Sequence, residues 1–421
     1  MSSNPDLLAA IPERCEADLI GLSRIHDPDS EGWTRTVFSD PYRESREWIR
    51  ARMIDVGLEV HPDGAGNLVG VLPGRNPAAS PLVTGSHTDT VRGGGRFDGA
   101  VGVLGALEAV RLLREHDLQL DRDLLVIDFL GEESNEFGLS CMGSRALAGE
   151  LSAADLDRQD HHGTRLGDRY AAFGIDPSGV LASSGWAKTR ALHRYVELHV
   201  EQGPLLEESG VPIGVVTAIA GIERILATFT GRPDHAGTMP MGDRRDALVA
   251  AAEAVLAVRQ EGCGAPVHGV ATTSQLVSEP GSPNVVPGRV RMQAEMRSVD
   301  PGWLSEAQRR LTEKITLQAS AYGVDVDFEW SHDNECRPAS PSVHQTISSA
   351  VDSLGIAWEP VPSGATHDAV HMARLCPMGM IFVPSQGGRS HCPEEWSELD
   401  HIATGVQVLA MTLVELDRTT D

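Results

Sequence analysis

Hydrophobic positions along the first two hundred residues switch repeatedly between two periods. Val103, Leu104, Leu107 and Val110 recur at helical spacing and predict one apolar stripe on a helix over residues 101–114. Short apolar runs at 68–72, 82–85 and 124–130 predict strands, and 45–56 a further helix. Strands and helices taking turns in this way predict an α/β layer on a mixed, mostly parallel sheet. From about Thr217 to Trp330 the grammar changes to strand 222–230, helix 243–260, strands 267–277 and 289–299, helix 304–321 and strand 324–330. That β-α-β-β-α-β order is the split ferredoxin-like α+β unit, which can stand as its own small domain. Pro338 and Pro341, among small polar residues, read as a return linker, after which strand 380–383 and helix 399–416 rejoin the first layer. The expectation is a larger domain in two pieces, residues 1–217 and 335–421, with residues 218–334 inserted between them.

Length agrees with that division, because 421 residues at ~150 per domain suffice for two or three compact units. The 35 basic and 60 acidic side chains leave a formal charge of −25. A polyphosphate needs a cationic footprint, so nucleic acid and anionic membrane surfaces are not expected as partners. Lys188 and Lys314 are the only lysines, and arginine supplies the rest of the positive charge. Cys15, Cys141, Cys263, Cys336, Cys376 and Cys392 lie far apart with no C-x-x-C pair, which reads as free thiols in a reducing compartment. Acidic residues occupy the N-terminal stretch where a secretory signal needs positive charge, and the apolar run 101–113 is short and broken by Glu108 and Arg111. A cytoplasmic protein is expected.

Four segments bring metal-type ligands just past predicted strands, where open α/β sheets build their sites. The first reads Thr84-Gly-Ser-His87-Thr-Asp89 and continues to Asp98-Gly99. His87 offers a ring nitrogen, and Asp89, two residues on, can reach back to the ring's other N–H. Asp98 could bridge two cations, or simply cap the helix that follows. The second, Gly131-Glu132-Glu133-Ser-Asn-Glu136, holds two adjacent acids that strand alternation aims apart, so one could bind metal while the other serves as a base. The third, Val196-Glu-Leu-His199-Val-Glu201-Gln202-Gly203-Pro204, and the fourth, Pro384-Ser-Gln-Gly-Gly-Arg-Ser390-His391-Cys-Pro-Glu394-Glu395, each add a histidine. Three histidines and two carboxylates supply ligands for a pair of divalent ions. No H-E-x-x-H, Walker loop, dinucleotide fingerprint or G-x-S-x-G elbow is present.

Taken together these segments resemble the dinuclear metallohydrolase superfamily of aminoacylases and glutamate carboxypeptidases. More narrowly they resemble its branch of N-carbamoyl-L-amino acid hydrolases, β-ureidopropionases and allantoate amidohydrolases. The similarity runs from the Gly32-Trp-Thr-Arg35 region to the C-terminal helix, and the HVEQGP motif at His199 narrows it most. PDHAGTMPM around His235, Asn284-Val-Val-Pro-Gly288, Arg297 and Ser363-Gly-Ala-Thr-His367-Asp368 also match.

The resemblance implies one metal on His87, Asp98 and His199 and a second on Asp98, Glu133 and His391, with zinc, manganese, cobalt and nickel all suited to that donor set. It implies Glu132 as general base, Asp89 as the orienter of His87, and His235 as an oxyanion donor from a lid. Gln202, Asn284 and Arg297 would bind the substrate's polar end, His367 would line the pocket, and the inserted domain would form a homodimer. The implied activity is hydrolysis of a carbamoyl or ureido C–N bond in a small carboxylate-bearing molecule, an N-carbamoyl-L-amino acid or allantoate. Hydrolysis of an ordinary N-acyl amide or dipeptide stays open, as does a metal-stabilised binding protein without chemistry. Arg297, with Arg244 or Arg245, is expected to make the entrance locally positive. One departure stands out: Glu136 occupies a place where relatives commonly carry arginine, and Thr366 one where many carry glycine, so the exact substrate is left undecided.

Overall fold

The computed structural model describes residues 8–185 and 191–419 and divides them into two units. Residues 1–7 and Lys188 lie outside the described residues. The first unit comprises Met1–Thr217, Ala339–Val361 and His367–Asp421, and the second Ala218–Pro338 and Pro362–Thr366. The stretch 362–366 thus goes with the second unit, although the sequence reading grouped it with the returning chain.

In the first unit the sheet runs β1 (Glu59–Pro62), β2 (Leu68–Leu72), β4 (Leu124–Phe129), β3 (Leu82–His87), β5 (Arg194–Val200), β15 (Met378–Val383) and β6 (Ile213–Ile219), with β14 (Trp358–Ser363) also on β6. The central strands β4, β3, β5 and β15 are parallel, while β2 and β6 join them antiparallel. Strands β3, β4 and β15 are buried along their whole length, which accounts for the largely apolar sequences of β4 and β15, while β3 turns polar from Thr84 towards the site.

Helices Pro12–Ser23, Ala100–Glu115, Pro341–Ser353 and Leu399–Asp417 contribute to one apolar core with this sheet. The helix Ala100–Glu115 is covered on nearly every side, so the predicted stripe is only part of its buried surface. A Cβ at Gly102 would lie 2.4 Å from the Leu198 carbonyl oxygen, so glycine lets this helix approach β5 closely. Glu108, also buried there, is neutralised by Arg14 and Arg111.

Leu399–Asp417 is, among the described residues, the one helix long and apolar enough to cross a membrane by length and composition, and 67% of it is buried inside this unit. The expected linker at Pro341 is instead the first residue of a helix, where a missing N–H costs nothing; Val343, Ile347, Ala350 and Val351 form its buried face. All six cysteines are free thiols.

The second unit follows the order strand β7 (Gly221–Thr230), helix Ala247–Cys263, strands β9 (Val270–Glu279) and β11 (Arg289–Ser298), helix Pro301–Ala321, and strand β12 (Asp325–Asn334). The sheet order β12-β7-β11-β9 is antiparallel throughout, and the two helices share a core with it through Ala250, Ala254, Ala307 and Leu311. The first helix starts later than its pattern suggests because Asp246 caps it, accepting from the Leu248 and Val249 N–H groups. The second starts earlier, at Pro301, because Asp300 accepts from Gly302 and Trp303. Two short strands, β8 (Asp234–His235) and β10 (Val285–Val286), pair in a separate ladder, and β13 (Arg337–Pro338) pairs with the end of β6.

Candidate metal centre

Four strand ends of the first unit converge. His87 closes β3, Glu132 and Glu133 follow β4, His199 sits near the end of β5, and His391 lies beyond β15. This is the edge at which parallel sheets assemble sites. Asp98 precedes the helix Ala100–Glu115 and faces all three histidines. Its Oδ1 is 3.2 Å from His199 Nε2 and 3.7 Å from His87 Nε2, and its Oδ2 is 3.1 Å from His391 Nε2. Glu133 Oε1 is 3.5 Å from the same His391 nitrogen. Two trios result, His87–Asp98–His199 and Asp98–Glu133–His391, with the donor atoms of each within 4.8 Å of one another. Asp98 offers one oxygen to each trio. Gly99 makes room for this, since at φ 64° a Cβ would sit 2.4 Å from the His87 ring.

The donors fit divalent ions. His87 Nδ1 lies 3.1 Å from the Asp89 carbonyl and His199 Nδ1 2.8 Å from the Val200 carbonyl, contacts that orient each ring with its Nε2 towards Asp98. Imidazole and carboxylate without thiolate suit ions of the zinc and manganese type. Burial pushes the Glu132 carboxyl well above its usual range, with Glu133 adding to the rise. Glu133 is pushed up to about 7, first by burial and then by Asp98. Asp98 also feels burial, but its hydrogen bonds with His199 and His391 outweigh it and hold the carboxyl well below the usual range. His391 is raised to about 9, chiefly by that bond to Asp98. Crowded buried acids of this kind are relieved by nearby dications.

Asp89 does more than the sequence suggested. Its carbonyl is the nearer partner of His87, the carboxylate lying 3.5 Å from Nδ1. Both carboxylate oxygens accept backbone N–H groups, from Glu132 and from Glu133, at 3.1 Å each. Glu132 Oε2 stands 3.5 Å from His87 Nε2, and the Cys141 thiol donates to its other oxygen at 3.5 Å. Gln202, in a left-handed conformation at φ 58°, donates its amide to Asp98 Oδ2 at 2.7 Å, while its own buried Oε1 has no partner among the described residues. His367 packs its ring 4.5 Å from that of His199, and burial holds its pKa well below the usual value.

Several contributors carry no motif that would have singled them out. Glu395 accepts from the Phe97 and Asp98 N–H groups and from the Ser390 hydroxyl, tying the His391 loop to Asp98. The fully buried Arg35 donates to the Thr88 carbonyl between His87 and Asp89. Glu197 forms a third trio with His199 and His367. All three stood in or beside quoted segments without being singled out; Arg35 is brought in by a loop far away in sequence, while Glu197 lies two residues from His199 on β5. Glu136 lines a cavity of about 400 Å³ with Thr36, Asp89, Arg92, Glu133 and His161, and its carboxylate is 3.5 Å from His161 and 3.6 Å from Arg169.

His235, Asn284 and Arg297 belong to the second unit. The β8–β10 ladder sets Val285 opposite His235, and the Ala236 N–H donates to the Asn284 carbonyl, so His235 and Asn284 are neighbours there. Both side chains are exposed. Arg297 Nε donates to Glu295 at 2.8 Å and Nη1 to the Gly364 carbonyl at 3.1 Å. Arg244, expected to add free positive charge, is committed to the Ala236 and Met239 carbonyls of the His235 loop. Thr366 donates to Asn334 Oδ1 at 3.0 Å.

Comparison with known proteins places the chain in a family. Residues 75–415 match the family described as peptidase family M20/M25/M40. An N-carbamoyl-L-amino acid amidohydrolase of Geobacillus stearothermophilus is 36% identical over 404 residues, covering 96% of this chain and 98% of that protein. A ureidoglycolate hydrolase of Oryza sativa subsp. japonica is 35% identical over 400 residues, covering 94% of this chain and 82% of the relative. Among solved structures, a hydantoinase/carbamoylase family amidase from Burkholderia multivorans superposes with a TM-score of 0.87 at 31% identity, covering 98% of this chain and 100% of that one. The chain belongs to peptidase family M20/M25/M40.

Proposed function

We propose that this protein hydrolyses a carbamoyl or ureido C–N bond in a small carboxylate-bearing substrate, releasing ammonia and carbon dioxide. The observation that carries the reading is Asp98, shared one oxygen each between two histidine-containing trios, with the buried Glu132 beside them. Its relatives named for carbamoyl amino acids and ureidoglycolate support the bond type.

His87, Asp98 and His199 would hold one divalent ion, and Asp98, Glu133 and His391 the other, with zinc and manganese first among the candidates and cobalt and nickel also suited. When bound, such a pair supplies Lewis acidity at the scissile carbonyl and a water acidic enough to attack at neutral pH. Glu132, 3.5 Å from His87 Nε2 and beside both trios, would accept the proton of the attacking water and deliver it to the leaving nitrogen. Asp89 holds the Glu132 and Glu133 backbone in place. Gln202 offers its unpartnered Oε1 to a substrate N–H.

In this reading the second unit acts as a lid, His235 donates to the oxyanion, and Asn284 and Arg297 take the substrate's polar end, the planar guanidinium matching a carboxylate. Arg297 must then exchange Glu295 for substrate. The edge strand β9, with Val270, Leu276 and Val277 exposed, supports a homodimer through this unit, which a dimer mass in light scattering would bear out and a monomer mass would not. Free thiols support a cytoplasmic location.

The deciding experiment assays N-carbamoyl-L-amino acids, N-carbamoyl-β-alanine, allantoate and N-acetyl amino acids on chelated and metal-restored protein. Ammonia release from a carbamoyl or ureido substrate that returns only with metal is expected. Turnover of N-acetyl substrates without ammonia would replace the reading with an ordinary amidohydrolase. Absence of any turnover would leave a metal-stabilised binding protein.

A further inference from the structure

Glu197 is fully buried on β5 and takes no part in the chemistry just described. Its Oε1 accepts the Ser86 hydroxyl at 2.8 Å. Its Oε2 lies 2.9 Å from the Tyr195 hydroxyl and 3.2 Å from the Ala369 N–H. Two of these links end beside a histidine of the site, and Glu197 itself lies close to a third. Ser86 precedes His87, Glu197 shares a strand face with His199 two residues on, and Ala369 follows His367 by two. The donor atoms of Glu197, His199 and His367 lie within 4.8 Å of one another.

We infer that Glu197 is a positioning residue that joins the backbones carrying His87, His199 and His367 into one rigid cradle and places a negative charge behind the ions of the proposed centre. The inference rests on the proposed dinuclear reading. Among the described residues no arginine or lysine pairs with this carboxylate. A buried acid without a cationic partner is a costly way to tie strands together, since a neutral amide or hydroxyl could bridge them. The charge has a use when positive charge sits in front of it, on the ion that His87 and His199 would hold. Direct ligation is the weaker alternative, because three of the roughly four acceptor positions of the carboxylate already face donors.

The test uses the full chain, stripped of metal and titrated with zinc or cobalt, and reads ion affinity, the visible absorption of the cobalt form and the melting temperature of the stripped protein. Glu197→Gln keeps the shape but removes the charge. Ion affinity is expected to fall by roughly 10–100-fold and the cobalt band to shift, with little change in the melting temperature of the stripped chain. Ser86→Ala, which deletes one link and leaves the charge, is expected to move affinity and band the same way by less, and it decides the matter if Glu197→Gln does not fold. Wild-type affinity and spectrum in the variants would overturn the inference. So would weaker binding that merely tracks a lower melting temperature, or the loss of one whole ion, which would make Glu197 a ligand. A wild-type chain that takes up no divalent ion overturns the proposed function as well, whereas normal wild-type uptake with unaltered variants overturns this inference alone.

Discussion

The two units present their functional candidates in opposite ways. In the first, His87, Asp98, Glu132, Glu133 and His199 are buried, and backbone or side-chain hydrogen bonds hold them, with His391, exposed on its loop, the exception. In the second, His235 and Asn284 are exposed, and Arg297 is half-buried and shared with Glu295. The difference follows from what each set must grip. An ion needs donors fixed within a fraction of an ångström before it arrives, so its cradle is built into the sheet edge and supported from behind. A substrate has to enter and leave, so the groups that take its polar end stay solvated until it is engaged.

That contrast can be broken by experiment. Glu132→Gln is expected to have the largest effect, lowering kcat by ~10²–10⁴ with ion content and melting temperature unchanged. Unchanged turnover at full metal content would remove the general base from the scheme. His235→Ala comes next, with kcat lowered by ~10²–10³. Its exposed position predicts wild-type ion affinity; a variant that sheds metal would show that the two units do not divide the work this way. Smallest is Asp300→Ala, which deletes the cap of the helix Pro301–Ala321 and should cost about 1 kcal/mol in chemical denaturation. Ion affinity should not change with it, and a change would tie the second unit's folding to the metal cradle.

Much of the layout is legible along the chain. Buried strands such as β4 and β15 are nearly continuous apolar runs, and the β-α-β-β-α-β order of the second unit follows from its periodicity. The boundaries that slipped have local causes. Asp246 and Asp300 set helix starts by capping, and Pro341 begins a helix because proline is well tolerated in a first turn. Within the site, His87, Asp98, Glu133, His199 and His391 announce themselves by residue type after a strand. Arg35 and Glu197 do not, because a buried charge looks like any other charge until its surroundings are known.

The sequence by itself determined which residue types end the parallel strands, and with them the donor set, since strand period and turn position are local properties. Only the tertiary structure decided that Asp98 gives one oxygen to each of two trios, that Asp89 fastens the two glutamates by their backbone, and that Glu197 lies behind three histidines. Those facts depend on the sheet order β4-β3-β5-β15, which sets distant segments side by side, and on burial, which turns ordinary acids into crowded and perturbed ones.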